Sequence, residues 1–227
     1  MDSNEKIEEC ESILKQIIHF EPDPYYVNYF FNSFLCSVNK VYTGIFEEAS
    51  RDFGLFISEK YTRGAFLEKA KEKYDLKAVD FISWYDKKYV EEHNNPYPDF
   101  IKKCCKLIDE HKKLPKIKVM IRAKERYSED HNQEILVFLK NEKLRSIEEL
   151  QIEIKRQMLV FLEMINYKRS NSEPRINEKQ ITVSTFLDIK ENGEEIEIVY
   201  AIKIYISMIK RFLIDIRKKI KELTEWK

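Results

Sequence analysis

YYVNYFFNSFLCSVNKVYTGIFEEAS, residues 25–50, is the stretch that decides the fold class. Val27, Phe30, Phe31, Phe34, Val38, Val41 and Ile45 recur at steps of three and four, the spacing of one face of an α-helix. Tyr25, Tyr26, Tyr29 and Tyr42 extend that stripe, so the helix is expected to be central. Asp23-Pro24 before it reads as an N-cap followed by a proline at the first helical position. Upstream, Ile7, Ile13, Leu14, Ile17 and Ile18 predict a helix over 5–20.

Downstream the same period continues. Asp52-Phe53-Gly54 interrupts, and a charged helix is expected over 59–74. Another carries Val79, Ile82, Trp84, Tyr85 and Val90, with Trp84 and Tyr85 as core anchors. Pro96 and Pro98 then punctuate the chain. Asp99 is read as the cap of a helix holding Phe100, Cys104, Leu107 and Ile108, which Pro115 ends. At Lys116 the period changes to two. Ile117, Val119, Ile121 and Ala123 alternate with Lys116, Lys118, Arg122 and Lys124, a half-buried strand with a basic outer face. Residues 135–139 form a short apolar run compatible with strand or helix. Ser146 with Glu149 makes a capping box for a helix through Tyr167. Ile181 to Ile189 alternates again, Asn192-Gly193 is a hairpin turn, and 195–199 returns as a strand. Ile202, Ile206, Ile209, Leu213, Ile216 and Ile220 define a last helix. The expectation is a mainly α protein: an up-and-down helical bundle with a small antiparallel sheet inserted before the last helix. It is read as one domain over 1–227, with the bundle at 1–115 and 199–227 and the strand-containing insert at 116–198.

Composition narrows the function. Forty Lys and Arg balance forty Asp and Glu, which argues against a dedicated duplex-DNA binder. Four glycines are too few to build a phosphate-cradling loop easily, and no nucleotide-binding or zinc-protease motif occurs. No cofactor and no metal are therefore expected. Cys10, Cys36, Cys104 and Cys105 contain no C-x-x-C pair, and the adjacent Cys104 and Cys105 suit core-edge packing. The first nine residues hold three Glu and one Asp ahead of any long apolar run, unlike a secretory leader. No apolar stretch nears the roughly 20 residues that cross a bilayer. Cytoplasmic location and no membrane partner are the expectation.

The candidate chemistry lies at Lys106-Leu107-Ile108-Asp109-Glu110-His111. A histidine at a helix C-terminus is favoured in its protonated form by the helix dipole. A lysine five residues earlier could hold phosphate while the imidazole moves a proton, which is what metal-free RNA cleavage requires. The alternative is bland: His111 edges the stripe of Leu107 and Ile108 while Lys106 is solvated. The basic residues of the last helix (Lys203, Lys210, Arg211, Arg217, Lys218, Lys219 and Lys221), with those of the strand at 116–124, raise the same choice between a nucleic-acid surface and a solvated face.

The order of features resembles the HEPN superfamily (higher eukaryotes and prokaryotes nucleotide-binding), in an archaeal-type branch. The aromatic helix from Tyr25 to Leu35, the Phe81-Ile82-Ser83-Trp84-Tyr85 segment, and the Pro98-Asp99-Phe100 helix running into His111 and Leu114-Pro115 carry the likeness. The family motif is Arg, four to six residues, then His, often with Asn after the Arg; here Lys106 and Leu107 stand at those places. Lys keeps the charge without the planar fork that grips phosphate. The resemblance implies an RNA-associated protein that forms homodimers. It would be either a metal-independent ribonuclease, with His111 as acid/base and Lys106 and Lys103 on phosphate, or a degenerate, non-catalytic interaction or regulatory module of toxin–antitoxin type. Arg126-Tyr127-Ser128-Glu129-Asp130-His131 matches the motif literally and ranks second, because its turn-forming residues predict a loop. An uncharacterised helical domain outside the family is the remaining alternative.

Overall fold

The computed structural model describes residues 3–58, 60–123, 133–136, 146–169, 174–189 and 194–225. The fold is mainly helical, with a small antiparallel sheet whose strands all precede the last helix. The chain divides into two compact units: residues 1–16, 31–114 and 200–227 form one, and residues 17–30 and 115–199 the other. The second unit thus takes in a stretch, 17–30, that the sequence pattern assigned to the bundle.

The helices begin where local chemistry allows. α1 (Ser3–Phe20) buries Ile7, Cys10 and Ile17, while Ile18 is exposed, so its stripe is narrower than the sequence suggested. α2 (Pro24–Asp52) starts as expected: Asp23 Oδ1 accepts from the Tyr25 amide at 2.9 Å, and Pro24 lacks the N–H that would have gone unused. Val27, Phe31, Phe34, Val38, Val41 and Ile45 are all buried. Tyr25 and Tyr29 are 61% and 62% exposed and do not widen the stripe. α3 (Arg63–Glu72) is shorter than predicted because Thr62 caps it, accepting from the Ala65 amide. α4 (Leu76–Glu92) is capped by Asp75 and buries Phe81, Ile82 and Tyr85. Trp84 is only half-buried, stacked on Phe81.

α5 (Pro96–Asp109) corrects two expectations. Asn95, not Asp99, is its N-cap, accepting from the Tyr97 amide at 3.1 Å. Both prolines then fall in the first turn, where a missing N–H costs nothing. Its C-terminus comes at Asp109, well before Pro115, and the reason is backbone geometry. The His111 amide donates to the Ile108 carbonyl and the Lys112 amide to the Leu107 carbonyl, with His111 at φ +55°. This is a Schellman closure, with His111 as its left-handed residue. α2 and α3 end the same way, through Gly54 at φ +64° and Tyr74 at φ +53°. Only one of the three uses the glycine that such a position favours.

Within the first unit α2 is anchored by α1, α5 and the last helix. Ser3 donates twice to Glu48, Ser37 donates to Glu9, and the Cys105 thiol reaches the Leu35 carbonyl. α7 (Ile198–Glu225) buries Ile202, Ile206, Ile209, Leu213, Ile216 and Ile220 as the period predicted, together with Tyr205 and Phe212. It begins at Ile198, so residues 198–199 are helix rather than the end of a strand. Phe46, Phe53, Phe66, Phe81, Tyr85, Tyr89 and Phe212 join through edge-to-face and tilted ring contacts into one aromatic core.

The second unit holds the sheet, in the order β2-β1-β3-β4, from β1 (Ile117–Ala123), β2 (Gln133–Leu136), β3 (Ile181–Ile189) and β4 (Glu194–Glu197). The β3–β4 pairing is antiparallel, and the Asn192-Gly193 turn lies outside the described residues. Lys124 and residues 137–139 also lie outside them. α6 (Ile147–Tyr167) starts on the predicted capping box, with Ser146 and Glu149 bonding each other's backbone amides. Leu150, Ile154, Phe161 and Ile165 pack on Val119, Ile121 and Ala123 of β1. Asn166 pins the end of α6 by bonding both backbone groups of Ile176 at 2.9 Å. The outer face of β1 is not an open basic surface. Met120 is buried, Lys118 pairs with Glu195, and the Arg122 guanidinium lies 4.0 Å from the centre of the Phe186 ring. Glu21 closes a gap beyond β4. Glu197 is paired with Phe186, so the Thr185 amide has passed the strand's end, and the Glu21 carboxylate accepts from that amide and from the Thr185 hydroxyl, both at 2.7 Å.

Candidate functional site

The last turn of α5 sets Lys106, Glu110 and His111 at one helix end, all exposed. The side chain of Lys106 is 75% accessible, and its ammonium lies 3.7 Å from a Glu110 oxygen. The other Glu110 oxygen is held at 2.7 Å by Lys112, whose ammonium keeps this carboxyl below the usual carboxylate range, with Lys106 adding to the effect. Lys103, one turn back, pairs with Asp99 at 2.9 Å, and Asp109 accepts from the Asn39 amide at 3.0 Å. A phosphate arriving at Lys106 would have to displace a carboxylate in a solvated setting, where such pairs are worth little. His111 is present for its backbone as much as for its ring, since its φ lets the helix close. Arg126 and His131 of the second motif lie outside the described residues.

A test of that backbone role follows directly. His111→Gly relieves the left-handed strain and is expected to stabilise the chain by about 1 kcal/mol in urea unfolding. Gly54→Ala is expected to cost about as much, although a Cβ there would meet nothing within 4 Å.

A second constellation was not singled out by sequence. Tyr42 on α2, His93 at the end of α4 and Tyr205 on α7 form a hydrogen-bonded chain inside the first unit. The Tyr42 hydroxyl lies 2.8 Å from that of Tyr205 and 3.1 Å from His93 Nε2, and His93 Nδ1 lies 2.8 Å from the Tyr89 carbonyl. A carbonyl can only accept, so Nδ1 carries the proton and Nε2 accepts from Tyr42. Tyr42 has then spent its proton, and Tyr205 donates to it. His93 is 4% exposed and stacks on Tyr89 at 4.0 Å, and Lys102 lies over the Tyr89 ring. Burial raises both Tyr42 and Tyr205 well above the ordinary phenol range. The sequence signal was Tyr85, Tyr89 and His93 at four-residue steps, one stripe of α4.

Burial also holds the His93 imidazole below the ordinary histidine range, with Lys102 acting in the same direction and the Tyr89 carbonyl, Asp99 and Glu92 opposing. The folded chain therefore keeps His93 neutral while the unfolded chain protonates it below about pH 6.5. Its contribution is complete above that pH and declines as acid is added, by up to about 1.4 kcal/mol per pH unit. Urea midpoints measured from about pH 7.5 to 5 should fall, and His93→Gln should flatten that part of the curve. An unchanged slope in the variant would assign the effect to another group.

Three cationic residues of α7 reach carboxylates on other helices. Lys210 pairs with Glu11 at 2.6 Å, Arg211 with Glu92 at 3.8 Å, and Arg217 with Glu48 at 3.2 Å. The thiols of Cys104 and Cys105 are buried and pushed up by burial, that of Cys104 to about 12, which suits packing rather than redox chemistry. Among the described residues no three His, Cys, Asp or Glu side chains gather as a metal site, and no helix is long and apolar enough to cross a membrane. No family model, curated protein or solved structure matches this chain.

Proposed function

We propose that the chain is a non-catalytic, HEPN-like interaction or regulatory module in which Lys106 and His111 are relics of a cleavage motif. The observation that carries this reading is the state of His111, whose left-handed backbone serves as the closure of α5. The carboxylates on α1, α2 and α4 that engage the α7 cations argue in the same direction, since RNA would have to compete with them for each charge. A cytoplasmic location suits the buried, unoxidised thiols of Cys10, Cys104 and Cys105. Purified protein incubated with mixed RNA in EDTA should leave it intact. Cleavage by the wild type that His111→Ala abolishes would overturn this reading.

That outcome would support a second one, a metal-independent ribonuclease acting as a homodimer. It draws on the exposure of Lys106 and His111 at the same helix end, where a second copy could add its own pair. His111 would then take the proton of the attacking 2′-hydroxyl or return one to the leaving oxygen, and Lys106, with Lys103 one turn away, would hold the phosphate.

A further inference from the structure

α6 carries two apolar stripes on opposite sides. One faces the sheet, through Leu150, Ile154, Phe161 and Ile165. The other faces solvent: Ile152 is 69% exposed, Leu159 39%, Val160 55%, Met164 40% and Tyr167 92%. A helix lying on a sheet needs only one apolar face, and the outward one normally turns polar. The two charged residues interleaved with the outward stripe are Arg156 and Glu163, also exposed.

Apart from Met164 at its edge, whose counterpart is Lys155, the outward stripe is symmetric along its length. Ile152 and Tyr167 lie equally far from the midpoint between Leu159 and Val160, and so do Arg156 and Glu163. The apolar ends, the opposite charges and the apolar centre are thus arranged as a palindrome of chemistry. A two-fold axis through that midpoint, with a second α6 laid antiparallel, sets each residue against its counterpart. Ile152 comes level with the partner's Tyr167 and Arg156 with the partner's Glu163, while Leu159 and Val160 lie beside the axis, next to their own copies. A parallel pairing would instead set arginine on arginine and glutamate on glutamate, which is repulsive. An isologous contact of this kind requires a self-complementary surface, and this helix has one.

We propose that the outward face of α6 is a docking surface for a second copy of this chain, paired antiparallel about the Leu159–Val160 midpoint. In the single chain Arg156 forks onto Glu153, at 2.7 and 3.0 Å, so pairing adds a second carboxylate to an arginine already held extended along the helix. The 21 residues of α6 span about 30 Å. A strip of that length offers a few hundred Å² per copy, below the roughly 800 Å² per partner of a standard stable interface. The dimer is accordingly a weak, reversible one. The surface belongs to the second unit and involves neither Lys106 nor His111, so it stands whether or not RNA is cleaved.

Sedimentation velocity of the full chain, over a series from about 5 to 500 μM, tests it. The wild type should shift from monomer to dimer within the series. Arg156→Glu and Glu163→Arg, each alone, should weaken association at least tenfold, and R156E/E163R together should restore it to within about threefold of the wild type. Both positions are exposed, and recovery in the double variant shows that the single ones failed for want of a partner charge rather than for want of a fold. A wild type that stays monomeric throughout overturns the proposal and leaves the stripe to a different protein. A dimer indifferent to either single reversal, or one that the double reversal does not rescue, overturns it as well.

Discussion

Replacing Phe81 by alanine should cost about 3–5 kcal/mol of folding free energy, the range for truncating a fully buried phenylalanine. Phe81 is wholly inaccessible and its ring lies 5.7 Å from Phe53, 5.7 Å from Phe66, 6.2 Å from Tyr85 and 6.3 Å from Trp84. These neighbours come from α3, from α4 itself and from the turn after α2, so collapse around the void would require three segments to move together. The loss combines the transfer of the ring with the dispersion contacts its neighbours forfeit. Domains of this kind hold only about 5–15 kcal/mol in all, so the variant should unfold at a much lower urea concentration. Tyr25→Ala makes the contrast: a ring of similar size removed from an exposed position should move the midpoint by no more than about 0.5 kcal/mol. Equal losses at the two positions would mean that the aromatic cluster is not the core of its unit.

Glu21→Ala should cost about 2–4 kcal/mol, a large effect for a residue in a turn. The carboxylate accepts two short bonds from Thr185, one from the amide and one from the hydroxyl, and Thr185 is fully buried. A hydrogen bond to a charged group contributes about 1.5–3 kcal/mol, and a buried donor left without an acceptor loses its hydration as well. Glu21→Gln keeps an acceptor oxygen and should lose about half as much. Thr185→Val removes the hydroxyl while leaving the amide bonded, and should fall between the wild type and Glu21→Ala. Hydrogen exchange at the Thr185 amide provides a local readout. If Glu21→Ala leaves that amide as protected as before, the carboxylate is not what closes the edge of β3.

These two residues show where the sequence is legible and where it is not. The Phe81 stripe repeats at helical steps, and burial follows because a helix hides one face; α4, α2 and α7 were all readable on that ground. Ser146 with Glu149 and Asp23 with Pro24 were equally plain, since each cap satisfies its own amides within a few residues. Glu21 had no such signal. Its partner lies 164 residues away, and nothing local distinguishes a glutamate that will reach a strand edge from one that will face water. The end of α5 was misjudged for a related reason. Pro115 marks a place where a helix cannot continue, but the helix had already closed through a left-handed histidine, a residue type that gives little warning of that conformation. The same event recast the candidate site: the spacing from Lys106 to His111 suggested chemistry, and the geometry supplies a structural reason for a residue with that φ. The Tyr42–His93–Tyr205 chain was hidden because its members come from three helices.

The division into two units has an optical consequence. Of the chain's two tryptophans, Trp84 falls in the first unit and Trp226 lies outside the described residues, while residues 17–30 and 115–199 contain none. The second unit therefore contributes no indole emission of its own, while far-ultraviolet circular dichroism sums the helices of both. If the two signals change at the same denaturant concentration, the units melt as one cooperative body. If emission changes first or last, the separation between the curves measures how much of the chain's cohesion each unit supplies for itself.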